Sequence, residues 1–168
     1  MESCKIDNKF LHCHSLFGGL DDCELDEIRH HFTERSYKPG ENILTEGEPN
    51  NSLFFIINGD VSIIKENNDP DHPGAKSGNT VLLTRMHTGD TFGEMELIDI
   101  QPCAATVRAD TETTVYTFTN LDLYQLSKWN QKTFSMIIMN LAREISRRLR
   151  ATNTLLSYEL YRRENGTA

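Results

Sequence analysis

The residues whose types and spacing suggest chemistry fall between Thr91 and Ala109, in the run Thr-Phe-Gly-Glu-Met-Glu-Leu-Ile-Asp-Ile-Gln-Pro-Cys-Ala-Ala-Thr-Val-Arg-Ala. The pair Gly93-Glu94 leads a short apolar segment, and Pro102 then introduces Ala104-Ala105 and a β-like run. This order predicts a strand, a brief helix and a second strand, with the unpaired N–H groups of a helical first turn directed at an anion. Glu94 then faces a hydroxyl group, because a carboxylate accepts hydrogen bonds and repels a second negative charge. A sugar carrying both a free hydroxyl and a phosphate meets both demands.

Other chemistry finds less support. No serine or cysteine nucleophile stands in a recognisable motif with a base, so the chain reads as a non-enzyme. His12-Cys13-His14, Cys23, His30 and His31 supply metal-ligand types, but at spacings that match no common zinc site. Cys4, Cys13, Cys23 and Cys103 show no paired spacing and read as free thiols. The formal net charge of -8 argues against a surface built to neutralise many phosphates of nucleic acid. Arg143, Arg147, Arg148, Arg150, Arg162 and Arg163 are interleaved with Glu144 and Glu159 and read as a solvated helix face. No apolar run approaches the roughly 18 residues of a membrane span, and the polar start shows no signal peptide. The expected compartment is the cytoplasm, and 168 residues suit one domain.

The elements that must hold the central stretch can be read in order. Phe10, Leu11, Leu16 and Phe17 predict a lead-in helix stopped by Gly18-Gly19. Asp21 three residues before Glu24, followed by Leu25, Ile28 and Phe32, predicts a second helix opened by a capping box and ending near His31 or Phe32. From Tyr37 the period becomes that of strands. Asn58-Gly59 between Leu53–Ile57 and Val61–Ile64 predicts a hairpin, since both turn residues tolerate positive φ. Residues 66–79 read as an exposed loop, 81–83 and 113–118 as further strands, and Gly at the corners suggests a β-barrel or jelly roll. Asn120 is placed to cap a helix, and a long helix follows from about Thr133 to about Tyr161. Its apolar stripe is wider than one docking face, which predicts a homodimer through that helix.

Several motifs agree in order and spacing with one family. Leu16-Phe17, Lys38-Pro39-Gly40-Glu41, Glu46-Gly47-Glu48, the run from Phe55 to Val61, Gly89-Asp90 with Phe92-Gly93-Glu94, Pro102 with Ala104-Ala105-Thr106-Val107, and Arg147-Arg148-Leu149 together resemble the cyclic-nucleotide-binding domain family. That family includes bacterial cAMP receptor proteins and the regulatory subunits of cAMP-dependent kinase. The resemblance runs from about residue 16 to 155. It implies a mainly β, jelly-roll-like barrel over 37–118, short N-terminal helices over 1–35 and C-terminal helices over 120–162, all one domain of residues 1–168. It also implies that the last helix dimerises and covers the pocket. The implied ligand is a cyclic nucleotide such as cAMP or cGMP, with no cofactor and no metal.

Residue by residue, the resemblance places Gly93 and Glu94 against the ribose, with Met95 in the usual apolar position. It gives Ala104, with Ala105 beside it, a backbone N–H for the cyclic phosphate. Arg148 falls beside the base, and Thr152 and Asn153 fall where the bacterial receptors contact the purine. The departure is Cys103, where the family's nucleotide binders carry the arginine that pairs the phosphate. Losing that charge-assisted hydrogen bond costs roughly 1.5 to 3 kcal/mol, and a buried anion without its countercharge about 3 to 5. Affinity for cAMP is expected to fall on the order of tenfold to a thousandfold. Glu96 adds negative charge where the family usually has a small residue, and Ile100-Gln101 replaces a Gly-containing turn. Arg108 lies five residues on from Cys103 and is expected to point to the opposite face of its strand.

Two functions follow as expectations. One is a regulatory module that senses a cyclic nucleotide or related small ligand and signals through its C-terminal helix to a protein effector. The other is a degenerate domain with an empty pocket, kept as a dimerisation or docking scaffold. The helix-turn-helix of the family's transcription factors is absent from these residues, so direct DNA binding is not expected.

Overall fold

The structure is a computed structural model, and it describes residue 6 and residues 8–66 and 80–166. The sequence readings of Cys4 and, apart from Glu66, of the loop at 66–79 lie outside the described residues.

Short helices come first. Helix α1 spans Asn8–Cys13 and a single 3-10 turn follows at Ser15–Phe17. Helix α2 spans Asp22–Ile28 and runs into a second 3-10 turn at Arg29–His31. Asp21 caps α2 as its spacing predicted: its carboxylate accepts the Glu24 amide at 2.9 Å and the Glu24 side chain accepts the Asp21 amide at 3.0 Å.

The strands are β1 Thr33–Tyr37, β2 Asn42–Leu44, β3 Ser52–Asn58, β4 Asp60–Glu66, β5 Thr80–His87, β6 Thr91–Phe92, β7 Thr106–Ala109 and β8 Thr113–Thr119, with helix α3 at Glu94–Asp99 between β6 and β7. They form two antiparallel sheets, ordered β1-β8-β3-β6 and β2-β7-β4-β5. The result is an open, jelly-roll-like pair of sheets. The interior between them is apolar: Phe54, Ile56, Phe92 and Val115 from one sheet meet Val61, Met86 and Val107 from the other. Because side chains alternate along a strand, Leu53 and Phe55 of β3 face the opposite way, into a second core built with the helices. Burial on both faces explains why β3 reads as a continuous apolar run.

Two local expectations are corrected. The roll begins at Thr33, before Tyr37: β1 pairs with β8 from Thr33↔Thr117 to Tyr37↔Thr113. Four of its five residues are exposed, so this edge strand shows no apolar alternation. Asn58-Gly59 is also not a hairpin turn, because β3 and β4 belong to different sheets. Of this pair Gly59 alone has a positive φ, 96°, and a Cβ there would approach the Glu112 carbonyl oxygen at 2.6 Å. The glycine marks a tight corner between sheets where another backbone passes.

Helix α4, Asn120–Trp129, is capped by Thr119, one residue earlier than expected, in a capping box with Asp122. Helix α5, Gln131–Glu164, has 34 residues and spans about 50 Å at 1.5 Å per residue. Its first half is anchored, with Thr133, Ile137, Asn140 and Leu141 buried. Asn140 donates to the carbonyls of Leu16 and Gly18, both at 2.9 Å, and so ties α5 to the N-terminal turn. Beyond Arg148 the helix carries exposed Leu149, Leu155, Leu156 and Leu160. Among the described residues, no helix is long and apolar enough to cross a membrane.

Candidate functional site

A cavity of about 370 Å³ lies between the two sheets and α5, walled by Leu44, Ile63, Met86, Phe92 and Val107, with Glu94, Glu96, Ala104 and Arg148 among its polar rim. Several strands and two helices meet there, and the local sequence sets each position. Gly93 supplies the N-cap of α3 in a left-handed conformation, φ 83°, and a Cβ on it would lie 2.6 Å from the Ser52 carbonyl oxygen. No other residue type fits so close to β3. The next residue, Glu94, is thereby turned inward and is 7% exposed.

Glu94 meets Arg148 from α5: Nη1 donates to Oε1 at 2.7 Å, and Nη2 donates to the Thr91 carbonyl at 2.6 Å. The Arg148 Nε also donates to Glu144, one turn earlier, at 3.2 Å. Burial pushes the Glu94 carboxyl above the usual glutamate range; the Arg148 guanidinium opposes that shift and the Glu96 charge adds to it.

Glu96 is buried too, and its Oε1 accepts the Ala104 amide at 3.1 Å. This is the amide that the resemblance assigned to a phosphate, and here a carboxylate of the chain itself holds it. Cys103 is buried at 3% exposure, outside the cavity wall. Its amide donates to the Glu48 carbonyl at 2.8 Å and its carbonyl accepts from the Gly47 amide at 2.9 Å. Burial pushes its thiol pKa up, and the Glu96 and Glu48 charges act in the same direction. A reactive thiolate is disfavoured at such a position.

The structure brings Gly93, Glu94, Met95, Ala104, Ala105 and Arg148 to the cavity wall. Thr152 and Asn153 are exposed on α5, just past Ala151, the last residue of that helix in the wall. Arg108 is exposed and outside the wall, while its neighbour Val107 lines it. The sequence reading missed two cations. Lys65 donates to the Ala104 carbonyl at 2.6 Å, but it does not line the cavity and Glu46 holds it at 3.0 Å. Arg85 does line the cavity, yet it lies opposite Ser62, which pairs with Arg108, four residues along the chain from Ala104. The Arg85 Nε lies 3.8 Å from an Asp110 carboxylate oxygen.

His14 is also redirected. Its ring packs within 5.1 Å of the Phe55 ring and 5.7 Å of Phe17, and Nδ1 accepts the Leu16 amide at 3.2 Å.

Comparison with known proteins gives this arrangement a family. A model of the family described as "Cyclic nucleotide-binding domain" matches residues 34–128. The chain is 33% identical over 101 residues, 60% of its length, to a cAMP-dependent protein kinase regulatory subunit of Mycosarcoma maydis. It is 32% identical over 138 residues, 82% of its length, to Glutaminase 1 of Bradyrhizobium diazoefficiens. The matched parts amount to only 18% and 20% of those two proteins. Among solved structures, a cyclic nucleotide-binding domain from Methylobacillus flagellatus superposes with a TM-score of 0.78 at 22% identity, covering 90% of this chain and 80% of that one, and so shares its fold. With more than half of its length matched by the family model, the chain belongs to the cyclic nucleotide-binding domain family.

Proposed function

We propose that this domain is a non-enzymatic, small-ligand-sensing regulatory module whose affinity for cAMP is weakened, and that it reports occupancy through α5. The observation that carries the weakened affinity is the hydrogen bond from the Ala104 amide to Glu96. A cyclic phosphate brought to that amide must displace a buried carboxylate or lie beside it, with Cys103 offering no countercharge. Signalling through α5 is supported by Arg148. A ligand hydroxyl that engages Glu94 acts on the same carboxylate that holds this helix, so occupancy and the seating of α5 are linked. The exposed leucines of the second half of α5 support a homodimer through that helix.

The second reading is a scaffold whose pocket binds nothing, and the filled Ala104 amide favours it. An apolar cavity with convergent polar groups favours the sensor. Titration of cAMP into the wild type and Cys103→Arg separates them. The sensor reading expects the variant to bind on the order of tenfold to a thousandfold more tightly. No binding to either protein favours the scaffold, and equally tight binding to both removes the role given to Cys103.

A further inference from the structure

The same cavity carries a more specific reading of its ligand, which rests on the sensor function above. Glu94 and Glu96 both line it, both are 7% exposed, and each has one oxygen engaged: Glu94 with the Arg148 guanidinium, Glu96 with the Ala104 amide. A carboxylate offers about four acceptor positions, so each retains capacity for donors arriving from the cavity. Glu94 is balanced by Arg148; among the described residues, the other wall cation, Arg85, lies 3.8 Å from Asp110, and Lys65, which reaches the Ala104 carbonyl from outside the wall, is held by Glu46. The surface between is apolar, formed by Leu44, Ile63, Met86, Phe92 and Val107.

We propose that the cavity accepts an uncharged ribonucleoside. The ribose supplies hydroxyl donors at two places: the 2′ and 3′ hydroxyls toward Glu94 and the 5′ hydroxyl toward Glu96. The flat base takes the apolar wall. A phosphate at the 5′ position turns the Glu96 contact from a donor–acceptor bond into a repulsion between two anions, and the site thereby discriminates by charge. This is selectivity by an unfavourable pairing as much as by a favourable one. Rejection is expected to be strong, because a buried carboxylate facing a second anion finds little water to screen it.

The test is calorimetric titration of the intact chain with adenosine, guanosine, inosine, cytidine and uridine. The nucleoside that binds best is followed by its 5′-deoxy analogue, its 5′-monophosphate and its 3′,5′-cyclic phosphate. The expected order is nucleoside tightest, the 5′-deoxy analogue weaker by about tenfold for one lost hydrogen bond to a charged group, and both phosphates weaker by about a hundredfold or more. Equal affinity for the nucleoside and its 5′-deoxy analogue, or a phosphate that binds as well as the nucleoside, overturns the proposal. The variant carrying both Cys103→Arg and Glu96→Ala separates its failure from that of the sensor reading. If no nucleoside binds the wild type but the double variant binds cAMP, the ligand class is wrong and the cradle is intact. If neither protein binds any of these compounds, both readings fail together.

Discussion

The guanidinium of Arg148 reaches Glu94 across 54 positions of sequence and donates to its Oε1 at 2.7 Å, joining α5 to the polar rim of the cavity. The side chain of Glu94 is 9% exposed and that of Arg148 31%, so the carboxylate depends on the pair more than the cation does. Removing the arginine strands a buried charge. Arg148→Ala is expected to lower stability by about 2 kcal/mol, read as a shift in the urea midpoint at constant slope. Adding Glu94→Gln to Arg148→Ala is expected to recover most of that loss, since the unpaired charge is then gone. No recovery means that the arginine acts through its bonds to Thr91 and Glu144 instead.

Ile100 closes α3 in the left-handed region, φ 58°, and is the one non-glycine residue with positive φ among the described residues. A β-branched side chain is strained there, while its amide makes the required cap to the Glu96 carbonyl at 3.1 Å. Ile100 is 79% exposed, so little packing is lost by removing its side chain. Ile100→Gly is therefore expected to stabilise the chain by about 1 kcal/mol in urea unfolding, the release of strain exceeding the added freedom of the unfolded chain. Destabilisation by a similar amount contradicts this account of the turn.

Much of this organisation was legible in the residues because it is local. The Asp21–Glu24 capping box needs only three-residue spacing, the long helix needs only its stripe, and Gly93-Glu94 needs only a strand, a turn and a helix in succession. What escaped depends on contacts between distant elements. The hairpin expected at Asn58-Gly59 failed because the same glycine suits a corner between sheets, and nothing local says which sheet β4 will join. Strand β1 was hidden by its exposure. Glu96 was visible as a negative charge near the site, but its bond to the amide of Ala104 depends on how the turn through Pro102 folds back. Lys65 and Arg85 gave no signal, since a cation on a strand reads as solvated until the neighbouring strand is known.

His14 gives a pH dependence. Burial lowers its pKa from the ordinary value of 6.5; the charges of Glu144 and Asp90 and a bond to the Gly89 backbone oppose this, and Arg148 adds to it. The unfolded chain therefore takes up the proton first on acidification. Stability from neutral His14 is present above about pH 6.5 and is lost as the pH falls toward the lowered folded value. Urea midpoints at about pH 7.5 and about pH 5.5 are expected to differ more for the wild type than for His14→Phe. Equal differences in the two proteins remove His14 as the source.

The outer half of α5 offers Leu149, Leu156 and Leu160 at steps of seven and four, at 59%, 55% and 50% exposure. If these meet a second copy, sedimentation gives about twice the 19.2 kDa chain mass, and Leu156→Glu with Leu160→Glu gives the single mass. A wild type that sediments as one chain at high concentration contradicts the dimer.

The central claim is that Glu96 occupies the phosphate end of the cavity while Cys103 beside it supplies no countercharge. Its most direct measurement is cAMP titration of four proteins: the wild type, Cys103→Arg, Glu96→Ala and the double variant. The expected result is affinity rising with each change, the double variant binding about a hundredfold or more tightly than the wild type. Wild-type binding as tight as that of the double variant contradicts the claim.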